Sequence, residues 1–277
     1  MERPIELACE FLPGARALLE LHARALPQRD DLCGAFCGSL ALGAAGLLQR
    51  GGEPLDQDAV ALAAGSLVGG IRAEGVLPQG EGGRRDYRLA IPTIDDSELS
   101  GTTAGGVVDA LGELSDGVLA AIPYRGPWTA GTLQGMFDLA TACSGPATLI
   151  ANLATHHLWG AGASLPVLLG HLLDGDAAGP PPDWDVGHFS CVVGRVQGPA
   201  GSLYCVADTY PVLGNNGVHM QPQEHLARAI ERRDKPAGGI IAVVLAEDAP
   251  ALRTGAERLG LREGIWDNGT VEPEMLR

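Results

Sequence analysis

Two strand-like runs near residue 200 place the strongest limit on the fold of this chain. Residues 188–196 read HFSCVVGRV, residues 202–210 read SLYCVADTY, and QGPAG joins them. Apolar runs joined by a short loop containing Gly and Pro are typical of an antiparallel β-hairpin. The second half of the chain is therefore expected to contain an antiparallel sheet.

The remaining patterns predict mostly helices in the first half and a mixture of strands and helices in the second. This segregation favours an α+β fold rather than a doubly wound α/β sheet. We expect one domain over 1–277, with a helical part at about 1–115, a sheet-containing part at about 116–250 and a tail at 261–277 without a pattern. The predicted helices are 14–25, 33 to about 50 (ended by Gly51-Gly52), 55–67, 102–114, 129–143, 162–175, 222–233 and 248–260, and the other predicted strands are 117–124, 147–153 and 238–246.

Composition excludes several classes of function. The chain has 19 basic and 34 acidic residues and a formal net charge of −15, so it should repel nucleic acids and anionic membranes. The N-terminus lacks the basic and apolar regions of a secretion signal, and no apolar run reaches the ~18 residues of a membrane span. We therefore expect a cytoplasmic protein that binds neither nucleic acid nor membrane.

Cys33 lies where a polar run gives way to an apolar helix, in LPQRDDLCGAFCGSL. The first turn of a helix favours negative charge because its N–H groups are unpaired and its dipole is positive there. A nucleophilic cysteine needs such an environment, together with a base and a group that orients the base. Six cysteines without a CxxC pair are otherwise expected to be free, packed thiols.

His188 and Asp208 are the candidate base and its partner. His188 opens the first strand of the hairpin and Asp208 stands near the end of the second, so the two side chains should be neighbours across the ladder. His22, His171 and His225 fall in amphipathic helix patterns and are expected at the surface. The amide of Gln28 is the candidate donor, beside the Cys33 N–H, to an oxyanion.

The ordered set of Gln28, Cys33-Gly34, the GHF at 187–189 and the DTYP at 208–211 resembles the papain-like cysteine peptidases. It is most similar to the bacterial branch that removes double-glycine leader peptides. The resemblance implies a papain-like fold in which Cys33 is the nucleophile, His188 the general base and acid, Asp208 its orienter and Gln28 the oxyanion donor. It covers about residues 26–70 and 146–215.

Several functions remain open at this point. The enzyme would act on a peptide or small amide through an acyl-thioester that water resolves, or an amine would resolve the same thioester in an amide-forming acyltransferase or transpeptidase. The spacing around Cys33 differs from the family pattern, which leaves a catalytically inactive binding module as a further alternative. Zinc binding by Cys33, Cys37 and His188 is the last alternative.

No phosphate-binding loop or dinucleotide fingerprint is present, and we expect no cofactor and no metal. The Gly-rich loop at 74–105 and an insertion at 155–186 are the segments in which we expect substrate specificity to lie.

Overall fold

Antiparallel strands form the centre of the fold. A computed structural model of the protein describes residues 6–71, 75–233 and 236–271. The hairpin prediction is confirmed, because β8 (Gly187–Gln197) and β9 (Ser202–Ala207) pair antiparallel, although β9 ends at Ala207 rather than at residue 210. The main sheet consists of β1 (Ala8–Phe11), β6 (Leu119–Arg125), β7 (Thr148–Ala154), β8 (Gly187–Gln197), β9 (Ser202–Ala207), β10 (Val218–Pro222), β11 (Gly239–Leu245) and β12 (Arg262–Glu263).

The strand order in this sheet is β10-β9-β8-β7-β11-β6-β12, with β1 paired to the far end of β8, and every pairing is antiparallel. The chain is therefore an α+β protein with a large antiparallel sheet. Four shorter strands lie outside it: β2 (Gln49–Arg50), β3 (Glu53–Pro54), β4 (Val68–Gly69) and β5 (Thr93–Ile94). The described residues form eight α-helices: α1 (Ala15–Ala25), α2 (Cys33–Ala44), α3 (Gln57–Ala63), α4 (Ala104–Leu114), α5 (Ala130–Thr141), α6 (Leu165–Asp174), α7 (Gln223–Glu231) and α8 (Ala249–Arg258).

Helices cover both faces of the main sheet. Successive side chains of a strand point to opposite faces, so Ile150 packs in a core with α1 to α4, whereas Leu149 and Ala151 pack in a second core with α5, α7 and α8. Burial on both faces explains why β7 reads as a continuous apolar run rather than an alternating one. Truncating one large side chain in either core would cost ~2–5 kcal/mol.

The helix that begins at Cys33 is shorter than predicted. It ends at Ala44 and not near Arg50, because Gly46 adopts φ +81° and reverses the chain. The N–H of Gly46 bonds the carbonyl of Gly43 at 2.9 Å and the N–H of Leu47 bonds the carbonyl of Leu42 at 3.0 Å. These two bonds form a Schellman motif, which satisfies carbonyls that the helix leaves unpaired.

Both ends of the chain belong to the fold more closely than predicted. The helical part predicted over 1–115 also contributes β1 to the main sheet. In the predicted tail, β12 pairs with β6 and the buried Trp266 donates its indole N–H to Asn152 Oδ1 at 3.0 Å. Asn268 accepts the N–H of Ala104 at 3.2 Å and so helps to cap α4. Residues 261–271 therefore contribute to the fold although their sequence has no recognisable pattern, and residues 272–277 lie outside the described part.

Within the described residues, no helix has the length and apolar character needed to cross a membrane.

Candidate active site

Cys33 is the first residue of α2, as predicted, and it lies at the wall of a cavity of about 490 Å³. Its side chain is half-buried, whereas the preceding Leu32 and the following turn of the helix are buried. The N–H groups of a first helical turn have no intrahelical acceptor. The Cys33 thiol therefore sits at the electropositive end of α2 and remains accessible from the cavity.

Gly34 lets the start of α2 approach the sheet. A β-carbon at this position would lie 3.1 Å from Thr102 and Val107 side-chain atoms and 3.3 Å from the ring of Phe189. Phe189 follows His188 in β8, so this close packing brings the first turn of α2 against the strand that carries the candidate base. Gly34 therefore serves helix packing at this position.

His188 and Asp208 are neighbours, as the hairpin predicted. Nε2 of His188 lies 3.0 Å from Oδ1 of Asp208, and the N–H of Thr209 donates to the same oxygen at 2.7 Å. The His188 and Asp208 side chains are 3% and 2% exposed, so solvent hardly screens the pair. Charge-assisted hydrogen bonds of this kind are strong in a buried site.

The ring of His188 also interacts electrostatically with the Cys33 side chain. Because Nε2 is held by Asp208, Nδ1 is the ring nitrogen left for the thiol. Burial opposes a charge on His188, but the Asp208 carboxylate, its hydrogen bond with the ring and the interaction with Cys33 outweigh it and raise the pKa of His188 to about 10. The pKa of Asp208 lies well below its ordinary value despite burial, because His188 stabilises the carboxylate.

Gln28 lies in the same cavity wall as Cys33 and His188. Its backbone N–H donates to the carbonyl of Thr209 at 2.9 Å, which fixes it beside the residue that follows Asp208. The side chain is buried, and its Oε1 has no hydrogen-bond partner among the described residues. A buried amide without its full set of partners on a cavity wall is a candidate ligand-binding group.

Aromatic rings surround the candidate base. The ring of Trp184 lies edge-on to His188 at 5.0 Å between centroids, and that of Tyr210 stands 5.7 Å from Trp184. Trp184 and Tyr210 both line the cavity. Apolar surface around a charged pair keeps water away and strengthens its electrostatic interactions.

The cavity walls come from separate parts of the chain. Both segments in which the sequence led us to expect specificity contribute, together with the C-terminal residues. Among the lining residues are Val76, Leu77, Glu98 and Thr102 of the 74–105 loop, Trp184 from the end of the 155–186 insertion, and Asn268 and Thr270. The charged lining residues are Asp30, Asp31, Glu98 and Arg232.

Asp31, two residues before Cys33, has the positive φ of 64° that few residues other than glycine adopt. Its Oδ2 accepts the N–H of Gly69 at 2.8 Å, and burial raises the pKa of the carboxyl group. Backbone in this conformation persists only where surrounding contacts impose it, and such positions concentrate at functional sites.

Sequence reasoning missed two histidines next to Asp208. His219, on β10, places its Nε2 3.3 Å from Oδ2 of Asp208. His22, expected at the surface, is 1% exposed and its Nε2 contacts the backbone oxygen of Asp208. The Asn215-Asn216-Gly217 turn was a signal for a further strand beside β9, and that strand carries His219.

The surface prediction is wrong for His171 as well, whereas His225 is partly exposed. His171 is buried, with Nδ1 at 2.9 Å from the carbonyl of Asp176. His225 is half-buried and its Nδ1 lies 2.9 Å from the carbonyl of His157.

A metal site at Cys33, Cys37 and His188 is not formed. Cys37 is fully buried one turn beyond Cys33 and its thiol interacts with that of Cys191 in the core. Across residues 6–71, 75–233 and 236–271, no three His, Cys, Asp or Glu side chains are grouped as metal ligands would be. The zinc alternative is therefore wrong for these residues.

Comparison with known proteins places the chain in a family without adding an activity. No curated protein matches the chain. Residues 12–267 match the model of a family of unknown function, DUF6885. Because this match covers nearly the whole chain, including both cores and Gln28, Cys33, His188 and Asp208, the chain belongs to the DUF6885 family.

Proposed function

We propose that this protein is a cysteine-nucleophile enzyme that cleaves a peptide or small amide through an acyl-thioester intermediate. The observation that carries the proposal is the contiguous set Cys33–His188–Asp208, with the thiol at a helix N-terminus and on a cavity. Each member supplies what nucleophilic cysteine catalysis requires: a thiol at the electropositive end of a helix, a base, and a carboxylate that orients the base.

The reaction would begin with the Cys33 sulfur, which loses its proton to His188 and attacks the substrate carbonyl carbon. The carbonyl oxygen becomes an oxyanion, to which the Cys33 N–H and the Gln28 side-chain amide would donate. As the tetrahedral intermediate collapses, His188 gives its proton to the leaving amine and a thioester remains on Cys33.

Hydrolysis would complete the cycle. His188 takes a proton from a water molecule, which attacks the thioester carbon, and then returns the proton to the departing Cys33 sulfur. Asp208 keeps the ring in the orientation that both steps need and stabilises its charged form. Transfer to an amine instead of water differs only in the group that attacks the thioester.

A papain-like arrangement is part of the proposal. The α+β fold supports it, because the nucleophile begins a helix that packs on an antiparallel sheet, and the sheet carries His188 at the start of one strand and Asp208 after the end of the next. This sequence differs from the resembled peptidases in having Leu32 between Asp31 and Cys33. The difference bears on substrate choice, since Asp31 lines the cavity.

The test measures how fast each cysteine reacts with iodoacetamide between pH 5 and 9, by peptide mass spectrometry of the wild type and of His188→Ala. We expect Cys33 to be the fastest-reacting cysteine below pH 7. In His188→Ala its alkylation rate should be roughly a hundredfold lower. The exposed Cys9 is the internal reference, and His225→Ala is a matched variant of a histidine that does not line the cavity.

A Cys33 that reacts no faster than Cys9 below pH 7, or equally fast in His188→Ala, would overturn the proposal in favour of a binding module. If alkylation of Cys33 is fast and depends on His188, the protein is next incubated with peptide amides and peptide thioesters, with and without an added amine. Mass spectrometry of Cys33 detects the acyl-enzyme, and the ratio of acid to amide product separates hydrolysis from acyl transfer.

A further inference from the structure

The Asp208 carboxylate carries a second histidine. Nε2 of His219 lies 3.3 Å from Oδ2, while His188 and the Thr209 N–H occupy Oδ1. His219 belongs to β10, which pairs with β9, and its side chain is buried. His219 has no role in the proposed reaction steps.

Gln221 fixes the protonation of the His219 ring. Its Oε1 accepts the backbone N–H of Trp159 at 2.8 Å, so its other terminal atom is the amide nitrogen, which donates to the carbonyl of Trp159 at 2.9 Å. The same nitrogen lies 3.0 Å from Nδ1 of His219. Because an amide nitrogen only donates, Nδ1 of His219 must accept and its proton resides on Nε2.

We propose that His219 is a positioning residue of the active site: as the neutral Nε2–H tautomer set by Gln221, it donates to Oδ2 of Asp208 and holds the carboxylate in the orientation that serves His188. The inference rests on the proposed function, because Asp208 acts on the reaction only through His188.

The physical effect of this donor is to keep Asp208 ionised and fixed. Without the His219 N–H, Oδ2 is a buried acceptor that loses its partner, and the carboxylate is destabilised relative to its protonated form. A carboxylate that is no longer held in place stabilises the imidazolium of His188 less. The Cys33–His188 pair is then weakened, and alkylation of Cys33 at low pH becomes slower than in the wild type.

Other titratable groups surround the pair and bear on any pH profile. They come from α1, α2, β8 and the loops that flank β9 and α6. Those that face Asp208 or His219 are His22, Cys33, Cys37, Asp183, His188 and Tyr210. All of them are unchanged in variants at position 219, so a difference between two such variants reports the donor at that position.

The test compares His219→Leu, which removes the donor, with His219→Gln, whose Nε2 reaches the same position and still donates. The probe is iodoacetamide, and the alkylation rate of Cys33 in the full chain is followed from pH 4.5 to 9 with Cys9 as reference. We expect His219→Leu to react about tenfold more slowly than the wild type at pH 5, and about equally fast at pH 8.5, because one hydrogen bond to a charged group is lost. His219→Gln is expected to keep most of the wild-type rate at pH 5.

Thermal unfolding is measured as a control that each variant is folded. An unchanged rate at pH 5 in folded His219→Leu overturns the inference, and so does an equal loss in His219→Gln, since a merely structural role predicts no rescue by the retained donor. If His219→Leu does not fold, Gln221→Met is used instead, because it removes the donor that fixes the His219 tautomer and leaves His219 in place. We then expect a roughly threefold slower reaction at pH 5, and no change overturns the inference.

The two hypotheses fail in different ways. If Cys33 of the wild type is not alkylated quickly, or if its rate does not depend on His188, both the proposed function and this inference are overturned. If the rate is fast and depends on His188 but does not change in the variants at position 219, only the inference is overturned.

Discussion

The first and second turns of α2 each carry one cysteine, and the two thiols occupy different chemical environments. Cys33 opens the helix, lines the cavity and interacts with His188. Cys37 is fully buried, and burial and its contact with the Cys191 thiol raise its pKa well above the ordinary value. One helical turn therefore separates a candidate nucleophile from a packed core residue, and position relative to the helix end and the base makes the difference.

Replacing each cysteine in turn is the strongest test of this comparison. We expect Cys33→Ala to abolish acyl-enzyme formation completely because the attacking atom is absent. Cys37→Ala should retain it and lower the free energy of unfolding by about 1 kcal/mol, since a small buried side chain is shortened. Acyl-enzyme mass and chemical denaturation measure the two effects. An acyl group found on Cys37 would reverse the assignment.

Asp208→Asn should have the next largest effect. The asparagine keeps the shape of the side chain but loses the charge that stabilises the His188 imidazolium, so we expect the rate of thioester formation to fall by roughly a thousandfold. Rates are measured on the same peptide substrate at pH 7. The control is Asp116→Asn, because Asp116 is exposed and asparagine readily adopts its positive φ. Comparable losses in the two variants would contradict the orienting role.

Gln28→Ala distinguishes the contribution of the proposed oxyanion donor from that of the proposed nucleophile. Alkylation by iodoacetamide creates no oxyanion, whereas attack on a carbonyl does, so this variant should hydrolyse substrate roughly 10²–10³-fold more slowly and yet alkylate at the wild-type rate. Gln134→Ala, at an exposed position of α5, is the matched control. Parallel loss of both reactions would instead mean that Gln28 supports the position of Cys33.

The smallest effect concerns stability and pH. His188 has a pKa of about 10 in the folded protein against an ordinary value of 6.5. A raised pKa stabilises the folded state fully below pH 6.5 and loses that contribution as the pH rises through 10. The Tm of the wild type should therefore fall by roughly 5 °C more than that of His188→Gln between pH 6.5 and 10. If the Tm of the wild type and that of His188→Gln fall equally between pH 6.5 and 10, the imidazolium does not contribute to the stability of the folded state.

The sequence predicted the part of the site that local pattern controls. The hairpin follows from two apolar runs and a short loop, and its ladder brings the start of β8, with His188, beside the end of β9, which Asp208 follows. The start of α2 at Cys33 follows from the change from polar to apolar residues. In these cases the information lies within a few residues of the side chain concerned.

The remainder depends on tertiary contacts that a local pattern does not contain. His22 lies on a face of α1 that is buried only because the residues after β9 pack against it. His219 lies on a strand of five residues, too short for alternation to stand out, and its tautomer depends on Gln221. The packing of Trp266 and Asn268 likewise depends on partners far away in the sequence.

The close packing at Gly34 has a consequence for the order of events during synthesis. Cys33 lies on a helix near the beginning of the chain, whereas the base and its carboxylate belong to strands formed much later, and the two meet only where α2 rests on Phe189. A growing chain that has not yet emerged as far as Asp208 therefore carries an ordinary thiol. Under the proposed function, Cys33 would become reactive only when the sheet is complete, so its chemical reactivity would report completion of the fold.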